Sequence, residues 1–283
     1  MPTTEERLRH ITLKLKRAKE HVVALDREVR KFFETTPYKV GTRRDPQTRK
    51  LIYYVTSVEP STDCLPLIAG DAIQNLMSTL DHLAYQIVCS DTGDSPPDPK
   101  RIYFPIADDA AKYEATKQRK MQGARPETIE AIDMLKPYKG GNDQLWNLYR
   151  LNNIEKHRLL ITVGSMFQSL DLGAHMFAMM KKAIPKLPEF PAISAFFKPA
   201  DILFPLKAGD ELFIDGADAE VNEKMQFRFN VALNEPGIIE GMPLLETLHQ
   251  FTALVEGIVG ALTPRLKAAP CDRRSAPSTG RHT

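Results

Sequence analysis

Cysteine, tryptophan and long apolar runs are all scarce in this chain, and each scarcity removes a class of protein. Among 283 residues there are three cysteines, Cys64, Cys89 and Cys271. They are odd in number and lack metal-ligand spacing, so neither a disulfide framework nor a cysteine-built zinc site is expected, and a reducing compartment suits them. No apolar run approaches the roughly 18 residues that a membrane helix needs. The first residues carry Glu5, Glu6, Arg7 and Arg9 and no apolar signal core, which predicts a cytoplasmic protein with no membrane partner. A glycine-rich phosphate loop, a strand-borne Gly-x-Ser-x-Gly and a paired-cysteine redox motif are all missing, which leaves no pattern for a nucleotide-loop, serine-hydrolase or thiol-redox enzyme.

One absence is local and more telling. No Lys, Arg or Glu occurs between residues 61 and 99, which nonetheless hold six Asp. The flanks have the opposite sign: residues 1–60 hold 14 Lys/Arg against 8 Asp/Glu, and residues 100–160 hold 12 against 8. Such polarity marks either a polyanion-binding face or charge balance within the fold. Within the acidic stretch, residues 63–90 read as one amphipathic helix. Asp71, Asn75, Ser78, His82 and Cys89 fall within about 40° of one line, at 100° per residue. Ile73, Leu76, Leu80, Leu83, Ala84 and Ile87 take the other side. A solvated helix face is normally dressed in Lys, Glu and Arg; short polar groups suit a face that packs on another element or lines a cleft, where each finds a partner.

Around that helix the periodicity predicts an α+β protein, a helical bundle with a mainly antiparallel β-sheet. Leu8, Ile11, Leu15, Ala18, Val22, Leu25, Val29 and Phe32 form a heptad seam within a helix at 5–34, and Leu244, Leu248, Phe251, Val255, Ile258 and Leu262 form another within 243–262. The two seams pair with each other in the chain or meet those of a second copy, giving a homodimer. Further helices are expected at 108–121, 126–135 and 143–157. Residues 38–40 and 51–58 flank a turn at Asp45-Pro46 and predict a hairpin with Arg43, Arg44, Arg49 and Lys50 at its tip. Strands are expected at 159–167, 174–180, 193–197 and 211–214. Met225, Phe227, Phe229, Val231 and Leu233 alternate with polar or small residues as a half-buried strand does. The expected organisation is a helical bundle with its hairpin over 1–160, a β-rich segment over 161–240, a helix at 241–263 returning to the bundle, and a disordered tail from 264.

A second polar cluster is Arg150-Leu151-Asn152-Asn153-Ile154-Glu155-Lys156-His157-Arg158. If the helix reaches His157, then Trp146, Arg150, Asn153 and His157 share one face. Glu155 then falls among Leu145, Leu148, Leu151 and Leu159. A carboxylate on an apolar stripe must be paired, hydrogen-bonded or protonated. Asp71, Asp81, His82, Glu155 and His157 offer metal-ligand types. However, Asp81 and His82 are adjacent and point about 100° apart on a helix, so no metal or other cofactor is expected.

Gly70-Asp71, Asn75-Leu76, Ser78 and Leu80-Asp81-His82-Leu83-Ala84, followed by Phe104-Pro105-Ile106, Pro137-Tyr138 and Asn153-Ile154-Glu155-Lys156-His157-Arg158, resemble a signature of a widespread group of bacterial and phage proteins without an assigned activity. More distantly, the chain resembles HEPN domains, up-and-down helical proteins that often act as metal-independent ribonucleases. Their active helix carries an Arg and, four to six residues on, a His. Here that segment is Met77-Ser78-Thr79-Leu80-Asp81-His82, so Met77 stands where the phosphate-holding Arg is expected. The resemblance implies an RNA partner and, for a nuclease, His82 as the acid–base group, joined by His157 and Glu155. Arg150 or Arg158 would hold the scissile phosphate. Asn75 or Ser78 would orient the His or the ribose, Asp71 and Asp81 would join them in binding substrate, Trp146 or Tyr149 would stack a base, and Arg43 and Arg44 with Arg49 and Lys50 would follow the backbone. The alternative is a non-catalytic, dimeric interaction protein of phage or bacterial defence.

Overall fold

A computed structural model of the chain describes residues 2–157, 161–184, 186, 196–197, 203–223 and 225–267. These residues form an α+β fold with seven α-helices: α1 (Thr4–Glu34), α2 (Cys64–Asp91), α3 (Ala110–Lys120), α4 (Pro126–Asp133), α5 (Asp143–His157), α6 (Gly173–Ala183) and α7 (Leu244–Leu262). Seven strands accompany them: β1 (Tyr38–Arg44), β2 (Leu51–Val58), β3 (Val163–Asp171), β4 (Phe196–Phe197), β5 (Glu211–Asp215), β6 (Gln226–Glu235) and β7 (Ile239–Pro243). No described helix is long and apolar enough to cross a membrane.

The chain divides into two compact units. One takes in the described residues of Met1–Leu15, Met77–Trp146 and Leu254–Thr283, and the other comprises Lys16–Leu76 and Asn147–Ala253. Both β-sheets lie in the second unit. The first is antiparallel in the order β1-β2-β5 and the second antiparallel in the order β4-β3-β6-β7. The expected hairpin forms as β1 and β2, and β5 pairs along β2 and places β2 at the centre of a sheet. The residues of β2 explain this: Leu51, Ile52, Tyr53 and Val55 are all buried, and a strand buried on both faces needs cover beyond one hairpin partner. Val55 and Leu212 from this sheet then share a core with Phe167 and Leu170 of β3, and with Leu206. Tyr38 and Phe229 meet at 4.6 Å between ring centroids in the same cluster.

The heptad seams are core. Every seam residue of α7 from Leu244 to Leu262, and every one of α1 except the half-buried Leu8, is buried in the single chain. Three expectations need correction. Residues 174–180, expected as a strand, lie in helix α6: they contain no β-branched residue and are rich in Ala and Met, which favour helix. β7 was not anticipated; it is five residues long and contains Gly241 at φ 67°. The expected tail begins in ordered chain, with Thr263–Leu266 forming a short 3-10 turn that buries Leu266. Residues 268–283 and Cys271, like residues 158–160 and most of 187–202, lie outside the described residues.

Candidate functional site

Helix α2 forms as its wheel predicts: Ile73, Leu76, Leu80, Leu83, Ala84 and Ile87 are fully buried. Its polar line grades from exposed Asp71, through half-buried Asn75 and Ser78, to exposed His82. Cys89, expected on the same line, is instead buried, and burial pushes its thiol up from the ordinary value. Met77 is 3 % exposed and belongs to the core.

Within the first unit, α1 runs antiparallel to α2, in a register set by one buried side chain. Arg7 is 3 % exposed, and it donates from Nη1 to Gln86 Oε1 at 3.1 Å and from Nη2 to Asp94 Oδ1 at 2.7 Å. From that anchor, one turn forward on α1 reaches His10 and one turn back on α2 reaches His82. A further turn brings Lys14 level with Ser78. Electrostatics agree with this register, since His82 feels the charges of Lys14 and His10 on α1 and of Asp81 on its own helix. Its imidazole is held below the ordinary 6.5, first by the covering of part of the ring and then by Lys14, with Asp81 opposing and His10 adding. The ring is still exposed to solvent. His82 is therefore mainly neutral at pH 7 and reachable, while Lys14 has no carboxylate partner among the described residues. An accessible imidazole beside a second imidazole and an ammonium is an arrangement that can accept a proton and hold an anion.

Asp81, the neighbour of His82, has a different task. Its carboxylate accepts from the Phe104 N–H at 3.0 Å, so it fastens the Phe104-Pro105-Ile106 segment to α2. At the end of the helix the Asp91 carboxylate accepts from the Arg125 N–H, from Arg125 Nε at 2.6 Å and from the Thr128 hydroxyl, and so caps α4. Arg7 with Asp94 and Arg125 with Asp91 mean that much of the charge polarity along the chain is balanced inside the fold.

Within the second unit, the other end of α2 meets α5. The Glu155 carboxyl lies directly on Gly70: a Cβ at position 70 would stand 2.5 Å from Glu155 Cδ and 2.6 and 2.7 Å from its oxygens. Glu155 accepts from the Ile161 N–H, but its Oε2 is buried with no hydrogen-bond partner. Loss of hydration and the charge of Asp71 raise its pKa above the ordinary 4.5 against the effect of that hydrogen bond. Nearby, His21 Nδ1 lies 3.9 Å from Asp71 Oδ2, and Asn75 donates to the Asp71 carbonyl.

The remaining candidates are dispersed or occupied. Trp146 is buried; its Nε1 donates to Asp108 and Lys139 covers one ring face at 4.4 Å, so the ring presents no open stacking platform. Arg43 pairs with Glu211 at 2.7 Å and lies over the Tyr54 ring. Arg44 spends its guanidinium on the carbonyls of Arg49, Ala217 and Ala219. Arg49 and Lys50 stay exposed at the tip, and Arg150 and Tyr149 are half-buried on α5. His157 ends α5, and Arg158 lies outside the described residues. Among the described residues no group of three or more His, Cys, Asp or Glu gathers as a metal site would require.

Sequence reasoning missed His10 and Lys14. Arg7, His10, Lys14, Arg17 and His21 step by three and four along α1, one position before the apolar seam that begins at Leu8. Reading the heptad one register earlier would have exposed this unbroken basic and imidazole line. No protein-family model, curated protein or solved structure matches the chain.

Proposed function

We propose that the chain is an RNA-directed, HEPN-like protein that cleaves phosphodiesters without a metal, with His82 as its proton-transfer group. One observation carries this reading: His82, the one histidine of the α2 polar line, is open to solvent rather than a satisfied core residue. It is also mainly neutral at pH 7, the form that accepts the 2′-hydroxyl proton. Attack of that oxygen on phosphorus and departure of the 5′-oxygen leave a 2′,3′-cyclic phosphate and a 5′-hydroxyl, with no water consumed.

A second reading has its own observation. Met77, at the position where the resemblance expects a phosphate-holding Arg, is buried, which favours a non-catalytic RNA-binding or interaction protein. A homodimer in that reading would use surfaces other than the heptad seams, whose side chains the single chain already buries.

Cleavage of a labelled total-RNA pool in EDTA by wild type, His82→Ala and His157→Ala separates the two. Loss of chelator-resistant cleavage in a folded His82→Ala protein, by about 10²–10⁴-fold, is expected. Cleavage unchanged by that substitution would overturn the role of His82, and none by pure wild type would transfer support to the second reading.

A further inference from the structure

We propose that His10 and Lys14 of α1 complete the His82 site, His10 as the second proton-transfer group and Lys14 as the cation on a non-bridging phosphate oxygen. The inference rests on the RNA-directed reading above and adds the substrate chemistry the site would take: one phosphodiester of a single-stranded RNA.

The argument begins with what His82 lacks on its own helix. From residue 61 to residue 99 there is no Lys or Arg, so α2 cannot neutralise a bound phosphate. The neighbouring helix supplies what is missing. The Arg7 anchor fixes the register, since its guanidinium is committed to Gln86 and Asp94. Residues three and seven positions further along α1 lie on the same face as Arg7, and they are His10 and Lys14. The matching positions on α2 are His82 and Ser78. His10 and His82 are exposed and Lys14 is half-buried, so all three can be reached from solvent. Around His82 the charged and titratable groups are Lys14 and His10 from α1 and Asp81 from α2. The Asp81 carboxylate is held by the Phe104 N–H, which leaves the cationic side of the strip to the ligand.

The chemistry then closes without a further reactant. The 2′-oxygen attacks phosphorus while its proton passes to neutral His82. The bond from phosphorus to the 5′-oxygen breaks, and that oxygen takes a proton from the His10 imidazolium. Lys14 stabilises the negative charge that grows on the non-bridging oxygens. Exchange with solvent afterwards returns one proton to His10 and removes one from His82. Lys14 in this role replaces, from a different helix, the cation that Met77 cannot provide.

Two probes test this with the full chain. The first is a mixed-sequence RNA oligomer, cleaved in EDTA across pH 5 to 9. The second is the same oligomer with 2′-O-methyl groups, which cannot be cleaved by 2′-attack and reports binding by fluorescence anisotropy. His10→Ala is expected to lower cleavage about 10²–10⁴-fold, leave binding within about twofold, and remove one limb of a bell-shaped pH profile. Lys14→Gln is expected to lower cleavage about 10²–10³-fold and to weaken binding with a salt slope reduced by about 0.7, one single-strand phosphate contact. Lys14→Arg should restore most of the binding. Of the other three positions substituted in these tests, His10 and His82 are exposed and His157 ends a helix, and circular dichroism verifies each fold. If wild type cleaves and His82→Ala does not, but His10→Ala and Lys14→Gln match wild type, this inference falls while the nuclease reading stands. If wild type binds without cleaving, the role of His10 falls and the binding arm alone decides Lys14. Wild type that neither binds nor cleaves overturns both.

Discussion

At Gly70 one side of α2 is closed, because the Glu155 carboxyl sits on the glycine Cα with no room even for a methyl group. At His82 the polar line of α2 is open, and beside Asp81 the groups around it belong to a cationic line on α1. The two regions belong to different compact units, and each holds a titratable group moved from its ordinary value. Burial is the first cause in both cases, raising Glu155 and lowering His82. A perturbed pKa therefore does not separate an enclosed group from an accessible one. Access and neighbours do: Glu155 faces a helix backbone, whereas His82 faces solvent beside Lys14.

Substitutions along α2 can break that comparison, and the largest effect belongs to its buried end. The Asp91 side chain is fully buried and holds two donors of Arg125 and the Thr128 hydroxyl. Asp91→Ala should cost about 3 kcal/mol in urea unfolding, below the upper range for a broken buried pair because Arg125 is itself a third exposed. The adjacent pair Asp81 and His82 gives a sharper contrast. Removing the Asp81 carboxylate strands the Phe104 N–H, so Asp81→Ala should cost about 2 kcal/mol, whereas His82→Ala should stay within about 0.5 kcal/mol. Equal losses from the two would mean that His82 is a packing residue, and would undo the contrast between the two regions.

The helices were legible because their apolar spacing and their packing obey one geometry: Ile73, Leu76 and Leu80 must be buried together or not at all. The site was half legible. His82 stood out as a short polar residue on a face without Lys, Arg or Glu, but its charged neighbours lie some seventy positions earlier in the chain, and only the buried Arg7 sets the register that aligns them. Asp81 was read as a ligand-facing group because a helix wheel cannot show that a backbone N–H from a distant loop occupies it. The hairpin arginines were read as backbone-following groups for the same reason, since the carbonyls of Ala217 and Ala219 that hold Arg44 are contributed by a loop far along the chain. Residues 174–180 failed differently, because a short apolar run fits either period and the Ala and Met content decided for helix.

The smallest effect tests the closed end of the comparison through pH. The folded-state pKa of Glu155 lies above its ordinary 4.5, so between those two values the folded protein binds more protons than the unfolded chain. Stability from this group is then fully present below the ordinary value, falls as pH rises through the window, and is flat above it. Glu155→Gln keeps the shape and removes the titration. Its stability relative to wild type should therefore increase as pH rises from 4 to 8, read from urea midpoints at each pH. Gly70→Ala reaches the same contact from the other helix. It gains about 1 kcal/mol of helix propensity and loses about 1–3 kcal/mol by displacing the carboxyl, for a net loss of about 1 kcal/mol. Because the displaced carboxyl regains water, Gly70→Ala should also flatten the wild-type pH dependence. Parallel curves for wild type and Glu155→Gln would mean that water already reaches the Glu155 carboxyl, and the closed end of α2 would then differ from the open end in packing alone.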